Sequence, residues 1–181
     1  ANSTAGASLP IGFNFLYEGA IYTHFAASPD GWVRLSTNTT AASSQFNNSI
    51  TNTTNTPKIS PYWDDMATGT TGSVQALVTG TAPNRIIKFQ WFVTIPRSTT
   101  GAANSTFQTW LYEGSGIIEF RYGAMGNSTS STGGLTGAVS TNFNSITFSA
   151  NTASNTVTND VNSIAPANGK LYSFTPPGGL S

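Results

Sequence analysis

The sequence predicts an all-β protein, a single domain built as an antiparallel β-sandwich (jelly-roll-like) with about eleven strands. Short runs rich in aromatic and β-branched residues recur from end to end, separated by Gly, Asn, Ser and Thr clusters. No segment has the periodicity of an amphipathic helix. Hydrophobic residues make up 38% of the 181 residues, enough for one sizeable core.

Each predicted strand is an alternating or apolar run bounded by turn residues. Glu18 and Gly19 separate the first two, and Pro29–Gly31 separate the second from the third. Both faces of the run from Arg85 to Ile95 are at least half apolar, which predicts a central strand. The predicted strands are Ile11–Leu16, Ala20–Ala27, Trp32–Ser36, Ile59–Trp63, Ser73–Thr79, Arg85–Ile95, Thr106–Tyr112, Ile117–Tyr122, Gly134–Ser140, Ser145–Ser149 and Lys170–Phe174.

The hairpin from Thr106 to Gly123 allows a prediction of register. A four-residue loop would pair Leu111 with Ile118 and Phe107 with Tyr122, which gives one apolar face that packs inward. The opposite face is mixed and carries two exposed aromatic rings. Its predicted members are Gln108, Trp110, Tyr112, Ile117, Glu119 and Arg121.

Residues 1–8 are interpreted as a polar N-terminal segment, 9–176 as the sandwich domain and 177–181 as a C-terminal tail. Two stretches built from Asn, Ser and Thr, 37–56 and 126–133, are predicted to be long loops, a length typical of functional or disordered segments.

The charge composition limits the partners that the surface can have. Lys plus Arg number seven, as do Asp plus Glu, while Thr, Ser and Asn make up 67 residues. The cations are scattered, which excludes the clustered positive charge that nucleic acid requires. A net charge of zero weakens repulsion between copies and favours self-association. The hydroxyl-rich and amide-rich surface is typical of an extracellular protein.

The chain contains no Cys, so disulfides, thiol catalysis and Cys-based zinc sites are excluded. The absence of disulfides is compatible with secretion, because a domain of this size does not need them. No stretch approaches 18 consecutive apolar residues, so no membrane span is expected.

The sequence carries no catalytic motif, and we expect no enzyme activity. Nucleophile-elbow and phosphate-loop patterns are absent. The one histidine, His24, lies in an alternating strand where an ordinary structural role is favoured. Only seven carboxylates are present, a thin supply for a glycosidase pair.

Two candidate ligand sites remain. Trp110, Tyr112 and Trp63 are candidates for carbohydrate binding, because flat aromatic rings beside amides and hydroxyls suit sugars. Burial under a second sheet or a partner is the alternative for Trp110 and Tyr112. The adjacent Asp64 and Asp65 are candidates for calcium, which takes six to eight oxygen ligands. One Asp capping a turn and the other in solvent is the favoured alternative. No cofactor other than calcium at this pair is expected.

Several segments follow one another in the order of a known module. They are Leu9–Phe15 with Gly19, Tyr22 and Ser28–Val33; Ile59–Asp65, which reads I-S-P-Y-W-D-D; Gly80–Arg85 with Gln90 and Trp91; Thr106–Gln108 with Leu111–Glu113, Gly116, Ile118–Phe120, Tyr122 and Gly123; and Gly169 with Tyr172 and Phe174–Pro176. In these segments the chain resembles a β-rich repeat module of secreted and cell-surface proteins of Bacteroidetes-type bacteria. The resemblance implies a role in adhesion, matrix or surface architecture and brings no catalytic residues.

We therefore expect a secreted, non-catalytic structural or adhesive subunit of a bacterial surface assembly, which self-associates into a filament or sheath. Copies of the chain are the expected partners, and residues 1–8 or 176–181 are expected to pack on a neighbouring copy. The alternative is a carbohydrate-binding module with glycans as partners.

Overall fold

A computed structural model describes residues 6–97 and 101–177 of the chain. These residues form twelve β-strands and no helix. The strands are β1 (Leu9–Tyr17), β2 (Ala20–Ser28), β3 (Trp32–Ser36), β4 (Lys58–Trp63), β5 (Ser73–Thr79), β6 (Ile86–Val93), β7 (Ser105–Tyr112), β8 (Ile118–Tyr122), β9 (Thr132–Thr136), β10 (Phe143–Thr147), β11 (Thr152–Ser154) and β12 (Leu171–Phe174).

The strands form two antiparallel sheets. One has seven strands in the order β1-β2-β3-β4-β9-β10-β11, and the other has five in the order β12-β8-β7-β6-β5. Strands β1 to β4 lie side by side in the first sheet, and strands β5 to β8 lie side by side in the second. Most neighbouring strands are therefore consecutive in the chain. This arrangement confirms the predicted all-β, antiparallel sandwich and single domain.

The inner faces of the sheets meet in one aromatic core. Phe25 from the seven-stranded sheet packs edge-on against Phe89 from the five-stranded sheet, with ring centroids 4.7 Å apart. Trp91 stacks on Phe107 of the neighbouring strand at 5.1 Å. The Trp91 Nε1 also donates a hydrogen bond to the carbonyl of Ser28, 2.7 Å away, which links the two sheets. Trp91 is thus a core residue.

The long segment 37–57 is an ordered cover over the outer face of the seven-stranded sheet. Val33 and Ile59 belong to the core between the sheets, so their strand neighbours Trp32 and Lys58 face the other way. The segment seals that second face, and Trp32 Nε1 donates to its Gln45 carbonyl oxygen at 2.9 Å. Trp32 and Lys58 are consequently buried although they lie outside the main core.

The predicted hairpin is confirmed in register, with Leu111 opposite Ile118 and Phe107 opposite Tyr122. The run from Arg85 corresponds to β6, which lies inside its sheet between β5 and β7. The sequence missed β11, because Thr, Ala and Ser give no hydrophobic alternation. Strands β9 and β10 each begin two residues earlier than predicted.

The N-terminal segment contacts its own domain where it is described. The Gly6 NH donates to the Ala27 carbonyl at 3.0 Å, and the Ser8 hydroxyl donates to the Asn38 carbonyl at 2.8 Å. Residues 1–5 and 178–181, for which packing on a neighbouring copy is predicted, lie outside the described residues.

Candidate functional site

The predicted ligand residues fall on opposite sides of the sandwich. Trp110 and Tyr112 lie on the outer face of the five-stranded sheet, because the alternate residues of β7 enter the core. Trp63 ends β4 in the other sheet, and Asp64 and Asp65 follow it. The structure therefore brings Trp110 and Tyr112 together but does not join Trp63 to them.

Cations from both neighbouring strands approach Trp110. The Lys88 Nζ on β6 lies 4.1 Å from the ring centroid, and the Arg121 Cζ on β8 lies 4.0 Å from it. The indole Nε1 donates to the Gln108 Oε1 at 2.6 Å, and the Gln108 Nε2 donates to the Gln90 Oε1 at 2.7 Å. The half-buried ring is held by cation–π contacts and an amide chain.

Tyr112 belongs to a second polar group on the same face. Its hydroxyl donates to the Glu119 Oε2 at 2.8 Å, and the Arg121 Nη2 donates to the same oxygen at 2.6 Å. Burial, followed by this bond to a carboxylate, raises the pKa of Tyr112 above its usual value of 10.0. Because the phenol stays protonated, it serves as a fixed donor to Glu119.

Trp63 is fully buried, so its ring is not available to a ligand in solution. It forms a small cluster with Trp32 under the 37–57 segment, and the Lys58 Nζ lies 4.0 Å from its ring centroid.

Asp64 and Asp65 bind different partners. The Asp64 carboxylate accepts hydrogen bonds from the Ser128 hydroxyl and from the backbone NH of Asp65. The Asp65 carboxylate forms an ion pair with Arg97 at 2.6 Å. Burial raises the pKa of Asp64. Among residues 6–97 and 101–177, no group of three or more acidic, His or Cys side chains could hold a metal ion. Calcium binding stays a prediction, and the described residues offer no preformed acidic cluster for the ion.

Sequence reasoning missed Lys58, whose side chain is wholly buried. Its Nζ donates to the Gln45 Oε1 at 2.7 Å, and burial lowers the pKa of Lys58 from 10.5 to about 7. Nothing in the sequence marks this lysine, because it starts an ordinary strand. Only the fold of the 37–57 segment encloses it.

Strand β5 is an exposed sheet edge. It pairs with β6 on one side through all seven residues, and none of the other described strands pairs with its second side. Leu77 is 63% exposed and Val78 is 40% exposed. They neighbour each other in the strand and therefore project to opposite faces of it. This edge combines free backbone groups with apolar side chains.

A comparison with protein families identifies this architecture. The family model described as "NIDO related" matches residues 1–176, nearly the whole chain. The chain belongs to the NIDO-related family. Membership indicates an extracellular type of β domain. No curated protein and no solved structure matches the chain.

The NIDO-related match spans both sheets of the sandwich, from the segment before β1 to the end of β12. In the described part of the chain there is no helix that is long and apolar enough to cross a membrane. The resemblance to a bacterial surface repeat module stays a prediction.

Proposed function

We propose that this NIDO-related domain is a non-catalytic, secreted structural or adhesive subunit of a bacterial surface assembly, and that copies associate through the β5 edge. The observation that carries the proposal is the chemistry of this strand. A regular edge without charge or proline adds a further strand readily, because its unpaired NH and carbonyl groups can form a new ladder.

The other three described edges carry features that hinder strand addition. Strand β1 contains Pro10, and its register with β2 shifts between Pro10 and Phe15. Strands β11 and β12 are only three and four residues long. Strand β5 has the sequence S-V-Q-A-L-V-T and an unbroken register with β6. Natural sheets protect edges with proline, irregular register and short length, and β5 has none of these.

A second copy of this chain is the occupant that the surface favours. The formal net charge is zero and only 8% of the residues are charged, so little electrostatic repulsion opposes association. Main-chain bonds from the edge and burial of Leu77 and Val78 would stabilise the contact. Pairing of β5 with β5 of a second copy closes as a two-fold dimer, so a filament would need a further contact between such dimers.

Sedimentation equilibrium over a wide concentration range tests this proposal. We expect the natural chain to associate and Leu77→Lys to weaken association at least about tenfold, because an edge lysine blocks strand addition. Ile164→Lys is the matched control, since Ile164 is a similarly exposed apolar residue in a loop. A natural chain that stays monomeric at millimolar concentration contradicts the proposal, as does an equal effect of both substitutions.

Carbohydrate binding is a second candidate function. It is favoured by the half-buried rings of Trp110 and Tyr112, whose centroids lie 6.4 Å apart on the outer sheet face. The Trp110 indole also donates to the Gln108 amide, which in turn donates to the Gln90 amide. Amides and aromatic edges of this kind can bind sugar hydroxyls and rings. A glycan array with calcium present, comparing the natural chain with Trp110→Ala, tests it. Absence of binding by the natural chain rejects this function.

A further inference from the structure

The side chain of Lys58 is a buried amine without an anionic partner. It has no exposed surface, and its Nζ lies 4.0 Å from the ring centroid of Trp63 and 5.5 Å from that of Trp32. Within the described residues, no carboxylate pairs with it, and its one hydrogen bond goes to Gln45. A buried ammonium is costly without an anion. The low pKa of Lys58 accordingly makes much of the amine neutral near pH 7.

The Gln45 carboxamide is held against this amine. Its Oε1 lies 2.7 Å from the Lys58 Nζ and also accepts a hydrogen bond from the Asn55 Nδ2 at 3.2 Å. Because a carbonyl bond is about 1.23 Å long, the amine nitrogen lies within about 4 Å of the Gln45 carbonyl carbon. The Gln45 Nε2 is buried and has no hydrogen-bond partner. A nucleophile and a polarised carbonyl therefore share a site closed to solvent.

We propose that Lys58 and Gln45 join in an intramolecular amide bond. The lone pair of the neutral Nζ attacks the Gln45 Cδ, and a carbon–nitrogen bond forms. The bond from Cδ to Nε2 then breaks. One proton passes from Nζ to Nε2, which leaves as ammonia, so a primary amine and a primary amide become one secondary amide and ammonia. No oxidant or reductant takes part.

The surroundings favour the product in three ways. The reaction removes the buried amine that can acquire charge and the amide nitrogen that has no partner. Enclosure of Lys58 keeps out water that would compete as a nucleophile. The fold already holds the Lys58 amine and the Gln45 carboxamide in contact, so little further entropy is lost in bringing them together.

The bond would tie the 37–57 cover to β4. Trp32 already fixes the backbone of this cover through the Gln45 carbonyl oxygen, so the cross-link would reinforce an existing contact. A chain without Cys has no disulfide to restrict its unfolded state. An amide between residues 45 and 58 would restrict it by the same chain-entropy effect.

Intact mass spectrometry of the denatured natural chain tests the proposal. After incubation near pH 9, where most of the amine is neutral, we expect a mass below that of the sequence by about 17 Da, the mass of ammonia. Proteolytic mapping should recover one peptide pair joined through residues 45 and 58. The measurement on the natural chain does not depend on whether any variant folds.

Two substitutions assign the mass loss. Lys58→Arg should restore the full sequence mass, and Lys88→Arg, which alters an exposed-face lysine, should retain the loss. A natural chain at full sequence mass after prolonged incubation overturns the proposal. A loss of ammonia that persists in Lys58→Arg also overturns it, because succinimide formation at an Asn then explains the mass.

Discussion

The carboxylate of Asp30 accepts a hydrogen bond from the backbone NH of Met66, 3.1 Å away, and so joins the β2–β3 turn to the segment after β4. The Ser28 hydroxyl donates to the same carboxylate, also at 3.1 Å. Asp30 is fully buried, and this burial raises its pKa from 3.8 to about 6. A structural carboxylate in this turn therefore titrates in mildly acidic solution.

Asp30 makes stability fall as the pH rises from about 4 to about 6. The folded pKa of about 6 exceeds the ordinary value of 3.8, so the folded chain binds this proton more tightly than the unfolded chain does. The stabilising contribution of Asp30 to the unfolding free energy is complete below about pH 4 and is lost as the pH rises through about 6. Asp30→Asn removes the titration, so the unfolding free energy of the variant minus that of the natural chain should rise by about 3 kcal/mol across this range.

Urea unfolding at closely spaced pH values from about 3.5 to about 7 measures both free energies. Asn is a suitable replacement because its Oδ1 can accept from the Met66 NH and its Nδ2 can donate to the Ser28 hydroxyl. Parallel stability curves for the two chains would show that burial does not shift the pKa of Asp30.

The next residue, Gly31, gives a prediction about backbone geometry. Its φ is +81°, and an added Cβ would lie 1.8 Å from the Tyr62 carbonyl oxygen. Gly31→Ala must displace β4 or the turn, so we expect a loss of about 4 kcal/mol or more in unfolding free energy. Gly19 has a similar φ of +77° with no atom within 4 Å of an added Cβ. Gly19→Ala should lose only about 1 to 2 kcal/mol. Equal losses would show that dihedral strain alone explains both.

The parts of the fold that the sequence predicts are those encoded by alternation. Leu111 and Phe107 take their predicted partners because only one register places all apolar residues of the hairpin on one face. Turn residues such as Gly19 and Gly31 mark strand ends for the same local reason. Strand β11 was missed because it has no apolar residue larger than alanine.

The candidate sites were less predictable because they depend on contacts across long stretches of chain. Trp63 was expected to bind a ligand, but the 37–57 cover buries it. The same cover turns Lys58 from an ordinary strand residue into a buried amine beside Gln45. Alternation shows which face a residue occupies, but it cannot show that an Asn-, Ser- and Thr-rich segment folds back over that face.

The pH dependence of stability separates the joined chain from the unjoined chain. Gln45→Ala cannot form the amide, so we expect its Lys58 to keep the folded pKa of about 7 that burial causes, against 10.5 in the unfolded chain. The unfolded chain then binds more protons between these values, and the stability contribution of Lys58 rises with pH. The natural chain, once joined, has no amine to titrate there. The stability difference between the chains should shrink from pH 7 to pH 10 in urea titrations, and a constant difference would contradict this.

The two tryptophans proposed as ligand residues should differ strongly in their effect on stability. Trp63 is fully buried in a cluster with Trp32, beside the Lys58 amine, so Trp63→Ala should cost about 3 to 5 kcal/mol of unfolding free energy. Trp110 is half-buried and held mainly by cations, so Trp110→Ala should cost only about 1 to 2 kcal/mol. Raising the salt concentration should leave the cost at Trp63 unchanged, because enclosed contacts are screened least. Urea unfolding of both variants measures these costs, and similar values would mean that the outer face is as tightly packed as the covered one.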